Sequence, residues 1–167
     1  MNIFAVSSCP IESAQQLCSI HVNKMLQETV QLLSTAHHVL DGTSKGTKPT
    51  HQNHPSAIWV RESSQNYRWA VQHAFALLDV YTTTTGKEHG YTKYLLQVGD
   101  LPDNIQDMGI TDFRMAMPDE FKIAAFFDPH KAYQLYLKSK YHDWQHRTDK
   151  RRMRVVFPKG TPHWMLD

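Results

Sequence analysis

A chain of 167 residues with 41% hydrophobic and 20% charged side chains is long enough to bury about two-thirds of its extended surface in one core, which sets aside disordered and low-complexity classes. No apolar run approaches the roughly 20 residues that cross a bilayer, and no basic-then-apolar leader opens the sequence, so a cytoplasmic protein is expected rather than a membrane-spanning or secreted one. Net charge is +2, but residues 1–121 hold 8 Lys/Arg against 12 Asp/Glu while residues 122–159 hold 10 against 3, an asymmetry that suits a polyanion whose condensed counterions are released on contact.

Met1 to Ser7 reads as a short extended entry, after which Ser8 can cap and Pro10 can open a helix running to Leu40, stopped by Asp41 and Gly42. Residues 42–54 are turn formers without periodicity and predict a first long loop. A second helix is expected from Pro55 and Ser56 to about Tyr81, because Trp59, Tyr67, Ala70, Ala74, Leu77 and Tyr81 recur along it; the Thr82 to Thr85 tract and Gly86 end it. A shorter helix covers His89 to Gln97. Val98 to Phe121 lacks a helical stripe and forms the second long loop. Pro129 opens a last helix with Tyr133, Tyr136, Leu137, Lys140, Tyr141 and Trp144 on one face. The expected architecture is mainly α: a single compact helical domain over residues 1–167, with a short extended N-terminal segment, two long loops and a basic segment at about 122–159. Cys9 and Cys18, the only cysteines, read as reduced thiols. No internal repeat, dinucleotide-binding glycine fingerprint or phosphate-cradling loop occurs, and no cofactor is expected.

His21, Met25, Glu28 and Leu32 follow spacings of four, three and four, which puts them on one stripe of the first helix. A carboxylate among apolar neighbours can donate or accept a proton near neutral pH. His21 and Glu28 lie two turns apart, roughly 10 Å along the axis, so a substrate between them would join them. The plain alternative is a surface i,i+4 pair of Lys24 with Glu28. Residues 50–69 form the densest polar and aromatic group: His51, Asn53, His54, Trp59, Arg61, Asn66, Tyr67 and Trp69 supply what stacks on a base and hydrogen-bonds its edge. For Trp59 and Trp69 a core position is the competing reading. His51 and His54 are too few for a metal, with only His21, His37 or His38 to join from afar, so no metal site is expected. His37 and His38 suit the negative end of their helix. Cys9 sits before a helix start but has no assignable catalytic partner. Lys150, Arg151, Arg152 and Arg154 are candidates for phosphate contacts, beside aromatics that interleave with Lys138 and Lys140.

The openings Met1-Asn2-Ile3-Phe4 and His21-Val22-Asn23-Lys24-Met25, the run Glu28 to Ala36, the stretch Thr50 to Tyr67, Met117 to Lys122 and the closing Trp164 resemble a family of small bacteriophage proteins often labelled pyrimidine dimer DNA glycosylase. The resemblance implies an enzyme of the endonuclease V type, a compact helical glycosylase and lyase whose N-terminal α-amine is the nucleophile. By that resemblance Glu28 is the catalytic glutamate, His21 its companion, and the amine of Met1 the attacking group. Asn2 is too large for ready removal of Met1, so the amine would be that of methionine. Thr29 and Gln31 flank Glu28 where the repair enzyme has an arginine-rich setting, which leaves phosphate contacts to the basic C-terminal segment.

The function expected is that of a phage DNA-processing protein, a DNA N-glycosylase and lyase acting on a damaged or modified base. Lys24, His51, Asn53, His54, Trp59, Arg61, Asn66 and Tyr67 would surround the substrate. The alternative is a non-catalytic counter-defence protein that binds a nucleotide or nucleotide signal in the same pocket. Either way the partner is a nucleic acid or nucleotide and not a membrane, in the cytoplasm of an infected host cell. A third reading makes the basic segment a docking surface of a structural protein.

Overall fold

Proline begins three of the helices where the sequence places them. In the computed structural model, which describes residues 1–166, Pro10, Pro55 and Pro129 are the first residues of α1 (Pro10–Gln15), α3 (Pro55–Glu62) and α7 (Pro129–His146), a position where the missing N–H has no helical partner to lose. Side chains cap α3 and α7, whereas α1 has Cys9 at its N-cap in place of the expected Ser8, with no side-chain bond. His54 Nδ1 accepts from Ser56 N–H at 3.2 Å, and Asp128 Oδ1 from His130 N–H at 2.8 Å. Gly42 and Gly86, at φ of 67° and 66°, close α2 (Ser19–Asp41) and α4 (Ser64–Thr85) in the left-handed region. The remaining helices are α5 (Thr92–Gln97) and α6 (Asp119–Lys122), the latter running into a 3₁₀ turn over Ile123–Phe126. No strand occurs among the described residues, and none of the helices there is long and apolar enough to cross a membrane.

Five points differ from the sequence expectation. The helix expected from 8 to 40 is two helices, because Ser19 N–H donates to Val156 O at 2.8 Å and Cys18 adopts an extended backbone, so the C-terminal tail holds the break open. The helix expected from 55 to 81 also breaks, at Ser63. Its hydroxyl donates to Gly109 O and accepts from Met108 N–H, while Ser64 N–H donates to Gln106 O. The threonine tract does not end α4. Thr83, Thr84 and Thr85 turn their hydroxyls back onto the carbonyls of Asp79, Val80 and Tyr81 and continue the helix to Thr85. Finally α5 starts at Thr92, with His89 outside it, and α6 begins inside the expected second loop.

The core is one cluster. Helix α4 packs against α2 and α1, and α2 against α3. Each of its fully buried leucines, among them Leu26, Leu33 and Leu77, contributes about 1.5–3 kcal/mol relative to exposure. Residues 2–6 are buried as an extended segment whose backbone polar groups are met by side chains. Ser13 Oγ bonds both Phe4 O and Val6 N–H, His130 Nδ1–H donates to Ala5 O, and Gln134 donates to Val6 O. This segment delivers the chain's N-terminus to the flank of α2.

Candidate functional site

Glu28 lies on the third turn of α2, with its side chain 13% exposed. The extended N-terminal segment crosses it: the Met1 α-nitrogen stands 3.8 Å from Glu28 Oε2, and Asn2 N–H donates to the same oxygen at 2.9 Å. Lys24 Nζ, one turn earlier and exposed, is 3.7 Å from Oε1. The carboxylate is thus gripped by an α-amine, a peptide N–H and an ammonium. Both sequence readings of Glu28, as a stripe residue and as the partner of Lys24, describe the same side chain.

Asn2 fixes the approach. Its amide donates to Ala116 O at 2.7 Å, and its carbonyl oxygen accepts from Tyr133 OH, which also reaches Arg114 O. Segment 114–116 is therefore tied, with a buried tyrosine, to the residue whose N–H meets Glu28. Sequence reasoning missed this tie. No pattern near Glu28 points to a loop nearly 90 residues away.

The segment from 50 to 62 supplies the rim. His51 sits at φ 50°, a strained backbone for a residue with a β-carbon, and its Nδ1 meets Thr50 Oγ1 at 2.6 Å. His51 and Asn53 are exposed and His54 half-buried. Burial lowers the His54 pKa, the α-amine and His51 lower it further, and Glu28 opposes them; His54 is therefore within electrostatic reach of the amine and the carboxylate. Because His54 Nδ1 accepts the capping N–H, a neutral ring carries its proton on Nε2. Arg61 donates to Gln52 O at 2.7 Å and faces Arg114, whose own guanidinium binds Glu62 at 2.7 Å.

Other candidates have different surroundings. His21 is 2% exposed, shares a 2.7 Å hydrogen bond through Nδ1 with Tyr141 OH, and packs against Phe4 and Trp144. Burial first, then Lys140 and Lys24, pushes its pKa down to about 3, so it is a neutral core histidine joining α2 to α7. The structure does not bring it to Glu28. Trp59, Asn66 and Tyr67 are buried too. Asn66 donates to Trp59 O and Thr111 Oγ1 and accepts from Thr111 N–H; Trp59 Nε1–H donates to Thr111 O; Tyr67 OH donates to Val98 O. These three residues anchor the second long loop.

The basic run lies elsewhere, folded back on the end of α7. Met153 N–H donates to Trp144 O and Arg152 Nε–H to Gln145 O, while Arg151 pairs with Asp149. Lys150 and Arg154 are exposed. Arg152, Met153 and Arg154 line a cleft of about 430 Å³ with Gln145. Cys9 and Cys18 are both free thiols, and burial pushes the Cys18 thiol up. No family model, curated protein or solved structure matches this chain.

Proposed function

We propose that the chain is a DNA N-glycosylase and lyase of a bacteriophage, acting in the infected cell on a damaged or modified base, with the Met1 amine as nucleophile and Glu28 as acid and base. The contact of the Met1 α-nitrogen with Glu28 Oε2 at 3.8 Å carries the reading. A nucleophilic amine must lose a proton before it attacks, and a carboxylate beside it is the group that takes it. The free electron pair then forms a bond to C1′ of the sugar as the bond from C1′ to the base nitrogen breaks. The base leaves with the proton returned by Glu28. Opening of the sugar gives an imine to Met1, loss of a C2′ proton expels the 3′-phosphate, and water hydrolyses the imine to restore the amine.

The rim residues suit the substrate of such a reaction. His51, Asn53 and His54 offer hydrogen bonds to an everted base, Lys24 adds positive charge beside Glu28, and Arg61 follows on α3. Lys150 and Arg154, at the end of α7, offer a separate, sequence-independent grip on phosphates.

Borohydride reduction tests the reading, because it turns the imine into a stable amine and leaves protein bonded to DNA. Duplexes holding an abasic site, a pyrimidine dimer or a hydroxymethylated base are incubated with the protein and reductant, and the adduct is mapped by mass spectrometry. The expected adduct is on Met1. Binding of these duplexes or of nucleotides with no adduct on any of them would overturn the enzyme reading and assign the pocket to sequestration of a nucleotide.

A further inference from the structure

Helix α4 turns one narrow row of side chains to solvent. Arg68, Gln72, Phe75 and Asp79 are exposed while the residues between them are buried or half-buried, and Phe75 leaves 40% of its surface in water. Spacings of four, three and four align them, roughly 16 Å from end to end. A cleft of about 370 Å³ runs along one flank, between α1 and α4, lined by Ile11, Gln15, Phe75 and Ala76; Ile11 is itself 50% exposed. Another of about 290 Å³ runs along the other flank, between α4 and residues 99–101, where Val71, Gly99 and Leu101 line it. The row is a ridge with a groove on either side, the relief into which a second helix packs.

Charge narrows what that helix can be. The spacing reads the same in both directions, so a second α4 laid antiparallel sets Arg68 of each copy opposite Asp79 of the other, and Gln72 opposite Phe75. A parallel one sets Asp79 against Asp79. Among the described residues no acid lies within ion-pair distance of Arg68 and no base within that distance of Asp79. Arg68 does have acidic neighbours: Asp107, bonded to Gln65 and to the Gly109 N–H, feels its charge, and Asp100 stands across the groove. They reduce what pairing with Asp79 adds, so the apolar contacts of Phe75 and Ile11 supply the affinity and the charges select the direction.

We propose that this face is a two-fold interface, on which a second copy of the chain docks α4 antiparallel against α4 with each Phe75 beside the α1–α4 cleft of the other copy. Such a contact uses the same surface twice and closes on itself, so it makes a dimer and no filament. Neither Glu28, His51 nor His54 lines either groove, and the interface stands whether or not the Met1 amine is a nucleophile.

Sedimentation equilibrium of the full chain over about 1–500 µM tests it and should show reversible dimerisation, as expected of a small interface. Asp79→Arg places like charges opposite each other at both ends of the two-fold, and so does Arg68→Asp. Each variant alone should raise the dissociation constant at least about tenfold, with an unchanged melting temperature because both side chains are exposed. Mixed in equal amounts the two variants should associate again, since one copy then carries acids at both positions and the other carries bases. Phe75→Ala should weaken the wild-type dimer to a similar degree, and it changes no charge, so it decides the case should either charge variant fail to fold. A wild-type chain that stays monomeric throughout overturns the proposal. So does a dimer that survives Asp79→Arg or Phe75→Ala, or a mixture of the two folded charge variants that stays monomeric. A dimer lost only on Phe126→Ala with Phe127→Ala assigns association to the exposed turn after α6 and overturns it too.

Discussion

Lowering the pH to 4.5 should destabilise this protein through two buried histidines. His21 and His73 are both buried, and burial pushes their pKa values down to about 3 and about 4. His73 Nδ1–H donates to Pro10 O, and Nε2 lies buried without a partner, so the neutral ring is what the core accepts. Above the ordinary value of 6.5 both states of the protein hold neutral rings and neither histidine affects stability. As pH falls below 6.5 the unfolded chain takes up protons that the folded chain refuses, so stability declines until the folded pKa is reached. At pH 4.5 this amounts to about 3 kcal/mol for each histidine, two pH units at 1.36 kcal/mol. A combined loss of about 5–6 kcal/mol is a large fraction of a typical folding free energy, and at this chain length it lowers the melting temperature by about 10–20 °C. Calorimetry or circular dichroism melts from pH 7.5 to 4.5 would measure it. His21→Gln keeps a hydrogen-bonding group opposite Tyr141 OH but cannot titrate, so its melting temperature should fall about half as steeply over the same range. An unchanged slope in His21→Gln would mean that His21 is protonated freely in the folded protein, and the reasoning from burial would fail.

Glu28→Gln keeps the shape of the side chain and should lower turnover of a trapped substrate by roughly 10²–10⁴-fold with little change in duplex affinity, measured by single-turnover kinetics; equal rates would remove Glu28 from the chemistry. Changing Lys150 and Arg154 to Ala should flatten the salt dependence of duplex binding by about two units of log–log slope, and adding Arg151→Ala and Arg152→Ala should flatten it by less, since those guanidiniums already bind Asp149 and Gln145 O; titrations at several salt concentrations would expose equal contributions from all four. Asn66→Ala strands the Trp59 carbonyl and the Thr111 N–H, and should cost about 2–4 kcal/mol in denaturant unfolding and speed hydrogen exchange around Thr111. A cost below about 1 kcal/mol would show the second loop to be held by its apolar contacts instead.

Local chemistry made part of this fold readable in advance. Proline and glycine act through their own backbone, so the starts at Pro10, Pro55 and Pro129 and the ends at Gly42 and Gly86 follow from residue identity. The breaks before Ser19 and at Ser63 carry no such signal. They are made by Val156, Gln106 and Gly109, residues far along the chain that compete for the same polar groups. The same division runs through the site. Helical spacing put His21 and Glu28 on one stripe, yet what surrounds each was set by other parts of the chain: Tyr141 and Trp144 cover one, while Met1, Asn2 and Lys24 grip the other. Residues 50–69 looked uniform in composition, but their exposed members, His51 and Asn53, precede α3 and their buried ones, Trp59, Asn66 and Tyr67, bond polar groups of the second loop at Thr111 and Val98.

The buried N-terminal segment also sets an order of events during synthesis. Its partners are Ala116, His130, Tyr133 and Gln134, and the start of α2 waits for Val156. Residues 2–6 are therefore made before any of their partners, and a helical chain rich in local contacts must still close loops of more than 100 residues. Until then Phe4, Val6 and the apolar face of α2 stay uncovered, so the nascent chain should be a client of holding chaperones, and protein released from ribosomes truncated before residue 130 should aggregate instead of folding.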